Sequence, residues 1–83
     1  MKKVTIRIMP KQGVLDPQGK AIQTSLSALG FSEVEGVQTG KLVELFLEDS
    51  EDINKRVGEM CDKLLANPVM EDYHFEVEGA VRP

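Results

Sequence analysis

The segment from Pro10 to Gly19 constrains the fold most, because it joins an alternating apolar run to a run with helical spacing. Its second half predicts a helix start. Asp16 can accept hydrogen bonds from the free N–H groups of the first turn, and Pro17 at the first helical position loses no bond there. Capping alone does not require the stretch Pro-Lys-Gln-Gly-Val-Leu that precedes Asp16. We therefore expect this end of the protein to contact something beyond its own helix.

The spacing of apolar residues predicts six elements in the order β-α-β-β-α-β. Val4, Ile6 and Ile8 alternate with polar residues in a half-buried strand that ends at Pro10. The other predicted elements are a helix from Pro17 to Leu29 stopped by Gly30, a strand from Phe31 to Gln38, a hairpin turn at Thr39-Gly40, a strand from Lys41 to Glu48, a helix capped by Ser50 that ends before Asn67-Pro68, and a strand from Met70 to Glu78. We expect one domain over residues 1–83, a ferredoxin-like α+β sandwich with a four-stranded antiparallel sheet and two helices on one face.

The predicted third strand has apolar residues on both of its sides. Val43, Leu45 and Leu47 point one way, whereas Leu42 and Phe46 point the other way. A strand that is buried on both faces needs a second covering layer, and the chain has no spare element to supply it. Another copy or another protein is the expected cover. The alternative is that these side chains are simply part-exposed, which protein surfaces tolerate.

Charge and composition exclude several classes of function. The chain has 83 residues and a net charge of −4, although residues 1–20 hold five of its ten Lys and Arg. This basic end is either a set of solvated lysine tips or an edge that meets an acidic partner surface. An acidic chain without a basic stripe argues against nucleic-acid binding. No apolar run approaches the roughly 18 residues that span a membrane. A single Cys suits the reducing cytoplasm, where we expect the protein to be located.

The residue types that carry chemistry are scarce. His74 is the only histidine, and it lies on the polar side of the last strand beside Glu76. Cys61 is the only cysteine, and its place on the apolar stripe of the second helix predicts a buried small hydrophobe. One Cys and one His are too few for a zinc site. We therefore predict no catalytic residue, no cofactor site and no metal site in this chain.

Three further patterns approach a functional motif without matching it. The stretch Gly36 to Lys41 differs from a phosphate loop in its glycine spacing and has Leu42 where Ser or Thr is needed. The acidic run at residues 48–52 is explained by helix capping and a solvated turn. An acylphosphatase would carry an arginine in the loop after the first strand, where Lys11 is the only cation.

Three blocks of the chain together resemble one known family. They are residues 10–19 (PKQGVLDPQG), Leu29-Gly30-Phe31 with Gly40-Lys41, and residues 64–73 (LLANPVMEDY). The chain is similar to the PurS family, the small subunits of phosphoribosylformylglycinamidine (FGAM) synthase, over about Val4 to Val77. That enzyme converts formylglycinamide ribonucleotide to FGAM with ATP and glutamine in the fourth step of purine biosynthesis.

The resemblance implies a non-catalytic assembly subunit. A PurL-type synthetase subunit would bind ATP, magnesium and substrate, and a PurQ-type glutaminase subunit would release ammonia. This chain would form a dimer or tetramer with itself, bridge those two partners, and bind no cofactor of its own. The alternative is a small-molecule-binding regulatory domain of ferredoxin-like shape, similar to ACT domains.

The family's motif can be placed on this chain at ten positions: Lys11, Gly13, Asp16, Pro17, Gly19, Lys41, Asn67, Pro68, Glu71 and Tyr73. Most of these ten positions also have a structural role that involves only neighbouring residues, at a helix start, a turn or a helix stop. Lys11, Lys41 and Glu71 have no comparable local role in the sequence, so they are the preferred candidates for partner contact. Asp16 and Asn67 complete that set of five candidates.

Overall fold

The chain forms three strands and two helices, seen in a computed structural model that describes residues 1–79. The elements are β1 (Lys2–Pro10), α1 (Pro17–Ala28), β2 (Lys41–Leu47), α2 (Ile53–Met60), which continues as a π-helical turn (Cys61–Leu65), and β3 (Glu71–Glu78). The sheet is antiparallel in the order β2-β1-β3. The predicted α+β class is therefore confirmed, as is the prediction that the chain begins with a strand followed by a helix.

The core lies between the sheet and α2. Ile6 on the central strand is paired with Val43 on one side and Phe75 on the other, so inward-pointing side chains of three strands form one row. Val57 and Cys61 of the second helix cover this row and are fully buried, as is Ile6. The apolar stripes of β1 and α2 thus account for most of the buried side chains of the described chain.

The predicted fourth strand, Phe31 to Gln38, is wrong. This segment has no strand hydrogen bonds among residues 1–79, and its N–H groups at Phe31 and Val34 donate to Leu26 and Phe31 carbonyls in turns. Its apolar residues recur every third position, whereas a strand requires alternation. The hairpin at Thr39-Gly40 is wrong for the same reason, because β2 has no preceding strand to pair with there.

The expectation that both helices cover one face of the sheet is also wrong. The only buried residue of α1 is Gly19, and Ile22 is 38% exposed. The partly buried hydrophobic residues that pack on the core come from β2, β3 and the end of α2. Residues 17–38, which we call the arm, therefore project from the body of the chain. The radius of gyration of 16.4 Å exceeds the roughly 12 Å expected of a compact chain of this length.

The second helix differs from its prediction at both ends. Asp52 occupies the N-cap position without a capping bond from its side chain, and Ser50 Oγ donates to Asp52 Oδ1 at 3.1 Å instead of capping the helix. At the other end the wider π-helical turn rotates the last residues. Leu64 is therefore 83% exposed, while Ala66 is buried.

The face of the sheet opposite α2 is open in the described chain. Leu42 is 61% exposed and Phe46 is 38% exposed, as the two-sided pattern of β2 predicts. His74 lies on this outer face, directly across from Arg7. Among residues 1–79, neither helix has the length and apolarity that a membrane crossing requires.

We expect the two glycines that precede β2, Gly36 and Gly40, to respond differently to the same change. A methyl group on Gly40 would collide with the backbone carbonyl of Ile8, so Gly40→Ala should lower the free energy of unfolding by roughly 1–3 kcal/mol. Gly36 has open space around it, so Gly36→Ala should change stability by no more than about 0.5 kcal/mol. Urea unfolding of the two variants checks this, and equal effects would contradict the close packing at Gly40.

Candidate partner-contact site

Three segments that are distant in sequence meet at one end of the sheet. Pro10 is paired with Glu71 where β1 leaves the sheet, and the Lys11 N–H donates to the Met70 carbonyl at 2.9 Å. The backbone of Gly40 lies against the end of β1. We call these segments, residues 10–16, 39–41 and 67–71, the motif junction. It brings together all five residues that the sequence proposed for partner contact.

The Asp16 carboxylate holds this junction to the arm. It accepts hydrogen bonds from Gly19 N at 3.0 Å, from Thr39 N at 2.7 Å and from Thr39 Oγ1 at 2.8 Å. The first bond is the helix cap that the sequence predicts, whereas the other two reach 23 residues along the chain. A side chain at Gly19 would collide with the Val37 carbonyl, so glycine permits this close approach. Asp16 thus fastens both ends of the arm.

These hydrogen bonds keep the carboxylate ionised. The backbone N–H of Thr39 lowers the pKa of Asp16 most, followed by the Gly19 N–H and the Thr39 hydroxyl. Hydrogen bonds to a charged carboxylate favour the charged form, because they are lost or reversed on protonation. We call the three hydrogen bonds from Gly19 and Thr39 to this carboxylate the Asp16 clamp. The clamp is strongest when Asp16 carries its charge.

Lys41 and Glu71 form a second set of contacts beside the clamp. Lys41 Nζ donates to the Leu65 carbonyl at 3.4 Å and lies 4.0 Å from Glu71 Oε1. Glu71 Oε1 also accepts from the Asn67 N–H at 2.8 Å. The sequence showed no local role for Lys41 or Glu71, and the structure adds a four-residue contact for Glu71 with Asn67 and long-range contacts for Lys41. Both residues tie the end of the second helix to the start of β2.

The outer surface of the junction carries apolar side chains in loops. Leu15 is 80% exposed, Val69 is 79% exposed and Met70 is 47% exposed. Lys11 beside them is 3.7 Å from Asp72 in an exposed ion pair. These apolar residues were not among the predicted contact residues, although Leu15 between Gly13 and Pro17, and Val69 directly after Pro68, lie in turn-forming sequence. Exposed apolar groups beside charged ones are typical of protein contact surfaces.

A shallow cavity of about 340 Å³ lies at the centre of the junction. Asp16, Lys41, Asn67 and Glu71 line it, and Lys11 follows Pro10 at its edge. The two lining carboxylates already accept hydrogen bonds from the chain. Within the described part of the chain, no three His, Cys, Asp or Glu side chains cluster as metal ligands. The charged side chains that line this cavity are therefore already engaged by groups of the same chain.

The two other residues considered for chemistry lie elsewhere. Cys61 is fully buried on the second helix, and this burial raises the pKa of its thiol, with the charge of Asp62 adding to the effect. A buried thiol with a raised pKa is a poor nucleophile. His74 is exposed on the open face of the sheet. The structure therefore does not bring these two residues into the motif junction.

Removing the clamp should destabilise the chain more than removing one of its three bonds. Asp16→Ala deletes every acceptor, whereas Thr39→Val deletes only the hydroxyl donor and keeps the backbone N–H and the β-branched shape. We expect a melting temperature that falls by several degrees for the first variant and by clearly less for the second. Thermal unfolding followed by circular dichroism checks the order. Equal melting temperatures would show that the clamp does not hold the arm.

The clamp should also make stability depend on pH. Because the pKa of Asp16 is lower in the folded chain, its contribution is complete above the ordinary pKa of 3.8 and is lost as the pH falls through the folded value. Urea midpoints measured from about pH 6 down to about pH 2 should therefore fall more steeply for the wild type than for Asp16→Asn. Parallel curves for the two proteins would contradict this.

Comparison with known proteins identifies the family. The family model for PurS, described as phosphoribosylformylglycinamidine (FGAM) synthase, matches residues 3–79. The chain is 49% identical over 82 residues to the FGAM synthase subunit PurS of Bacillus subtilis, covering 98% of each chain, and 48% identical over 80 residues to that of Methanocaldococcus jannaschii, covering 94% of this chain and 96% of the relative.

Solved structures agree with this match. A crystal structure of Bacillus subtilis PurS aligns with a TM-score of 0.88 at 49% identity, covering 94% of this chain and 99% of that one. A chain in the structure of PurLQS from Thermotoga maritima aligns with a TM-score of 0.78 at 29% identity, covering 93% of this chain and 96% of that one. Similarity at this level over nearly the whole length shows that the chain belongs to the PurS family.

Proposed function

We propose that this chain is the small, non-catalytic subunit of FGAM synthase in purine biosynthesis. In this role it self-associates and links a PurL-type synthetase subunit to a PurQ-type glutaminase subunit. The observation that carries the proposal is the similarity to PurS subunits across 98% of both chains. The Thermotoga maritima neighbour, which belongs to a PurLQS structure, supports the assembly role. This evidence favours an assembly subunit over the ACT-like regulatory domain.

The proposal places the chemistry on the partners. ATP and magnesium would be bound by the synthetase subunit, and this chain would bind no cofactor. We also propose a cytoplasmic location, since the single cysteine is a free, buried thiol of the kind that persists in a reducing compartment. The contribution of this subunit to the reaction is then positional, because it holds two enzymes at a fixed separation.

The motif junction is the surface that we assign to the larger partners. Leu15, Val69 and Met70 would supply the buried apolar centre of the contact, with Lys11 at its polar rim. A rim charge chiefly affects the association rate and its dependence on salt, whereas the apolar centre supplies most of the affinity. Hydrogen bonds within the chain would hold the loops of this surface in position. They are made by Asp16, Lys41, Asn67 and Glu71.

Charge reversal at the rim should weaken the complex without unfolding the subunit. Among residues 1–79 the Lys11 side chain forms an ion pair with the exposed Asp72 alone, so Lys11→Glu should change stability by no more than about 0.5 kcal/mol. Glutamine-dependent FGAM synthesis, reconstituted with PurL-type and PurQ-type subunits, should require more of the variant for half-maximal activity. The effect should be greatest at low salt, where charges are least screened.

Lys55→Glu is the matched control, because it reverses the same charge at an exposed position of α2 outside the junction. It should support wild-type synthesis. If Lys11→Glu melts normally and supports full synthesis at every salt concentration, the junction is not the partner surface. If the wild-type chain itself gives no stimulation of glutamine-dependent synthesis, the proposed function is wrong.

A further inference from the structure

β3 is an edge strand of the sheet, and its outer side has no neighbouring strand among residues 1–79. The Lys11 N–H donates to the Met70 carbonyl just beyond the last pair of the β1–β3 ladder. Because hydrogen bonds recur at every second pair of an antiparallel ladder, the even-numbered residues of β3 bond to β1. The Glu71 N–H turns back to the Asn67 carbonyl. The backbone groups that face away from the sheet are therefore those of Tyr73, Phe75 and Val77.

This edge lacks the features by which proteins usually prevent the addition of a strand. Natural edge strands are very short, or they carry Pro, Lys or a bulge. β3 is eight residues long and contains no Pro, Gly, Lys or Arg. Each residue from Glu71 to Glu78 faces one residue of β1 in an unbroken register, so the strand has no bulge. The edge is therefore a regular template for one more strand.

The side chains of β3 on the open face of the sheet make this edge acidic. Asp72, Glu76 and Glu78 are exposed there together with His74. Asp72 pairs with Lys11, whereas within residues 1–79 neither Glu76 nor Glu78 forms an ion pair. Cross-strand pairs of opposite charge stabilise a sheet. An added strand would therefore gain from Lys or Arg side chains opposite these carboxylates.

The same charges argue against a second copy of β3 as the occupant. Antiparallel pairing of two β3 strands about a two-fold axis would bring Asp72 of one copy opposite Glu76 or Glu78 of the other, depending on the register. Like charges directly opposite each other destabilise a sheet. The charge pattern therefore favours a segment of a different protein.

The other side of the edge is apolar. Tyr73, Phe75 and Val77 are partly buried against the core, and the two aromatic rings are stacked with their centroids 6.3 Å apart. The Tyr73 hydroxyl donates to Asp62 Oδ1 at 3.1 Å, which holds its ring against the π-helical turn. Apolar side chains on one side of an added strand would cover the part of these rings that the chain leaves exposed.

We propose that the outer edge of β3 receives an extended segment of a partner subunit as an additional antiparallel strand. The segment alternates apolar side chains, on the side of the core, with Lys or Arg side chains opposite the acidic residues. The inference rests on the assembly role in the proposed function and specifies the chemistry of one contact. A subunit that links two different partners needs two surfaces, and β3 from Asp72 onward lies outside the motif junction.

Peptide binding tests whether the edge adds a strand. The probe is a fluorescent, end-blocked heptapeptide of alternating lysine and valine, titrated with the full chain and followed by fluorescence anisotropy. In the proposed pairing its valines lie opposite Tyr73, Phe75 and Val77, and the valine N–H groups point to β3. N-methylation of the valines should therefore weaken binding by roughly tenfold or more. N-methylation of the lysines, whose N–H groups point away, is the matched control and should leave binding nearly unchanged.

A second probe tests the charge preference. In this heptapeptide glutamate replaces each lysine, so the backbone and the valines stay the same. We expect it to bind roughly tenfold more weakly than the lysine probe, because its carboxylates lie opposite those of β3.

A charge reversal on β3 tests the edge in the assembly. Glu76→Lys should weaken binding of the lysine probe by about threefold to tenfold. It should also raise the amount of subunit needed for half-maximal glutamine-dependent synthesis with PurL-type and PurQ-type subunits. Glu51→Lys is the matched control, because Glu51 is equally an exposed carboxylate but lies in the turn before α2. It should change neither measurement, and thermal unfolding should show that both variants fold.

Three outcomes would overturn the proposal. Equal binding of the two N-methylated probes would show a purely electrostatic contact and leave the proposed function intact. Full synthesis with Glu76→Lys at every salt concentration would show that the edge takes no part in the assembly. A wild-type chain that binds the lysine probe but gives no stimulation of synthesis would refute the proposed function and, with it, the assignment of the segment to a partner subunit.

Discussion

A single carboxylate joins the two parts of this chain. Asp16 caps α1 through the Gly19 N–H and holds the entry to β2 through Thr39, so the arm leaves and returns at one point. The hydrogen bonds to Thr39 are long-range, and they are made by a charged acceptor, which makes them stronger than bonds between neutral groups. The direction in which the arm projects, and the surfaces that it leaves uncovered, follow from this attachment.

The distribution of apolar residues explains why such a small protein belongs in an assembly. The body buries one row of side chains from three strands beneath α2, which is a small core for a chain of this length. Other apolar residues lie on the arm, on the open face of the sheet and in the loops of the motif junction. Burial of such surfaces against another molecule would stabilise the chain, because it removes apolar area from water.

Within the motif junction, one set of residues holds the loops in position and a different set forms the exposed surface. Lys41, Glu71 and Asn67 connect the end of the second helix to β2 and β3. Leu15, Val69 and Met70 stand on the outside of that framework and are free to meet a partner. The polar motif residues therefore hold the loops in position, and the apolar residues between them supply the surface.

The local pattern of the sequence determined β1, the Asp16-Pro17 start of α1, the Gly30 stop and the inward face of β3, because each depends on neighbouring residues. It also carried the resemblance to PurS and placed Asp16, Lys41, Asn67, Glu71 and Lys11 as candidates. The tertiary structure showed that Phe31 to Gln38 is not a strand, because this segment makes turn hydrogen bonds and pairs with neither edge of the three-stranded sheet in the described residues. The same holds for the projection of α1 and the ion pair of Lys41 with Glu71. Those features depend on contacts between residues more than twenty positions apart, and such contacts leave no periodic signal in a single sequence.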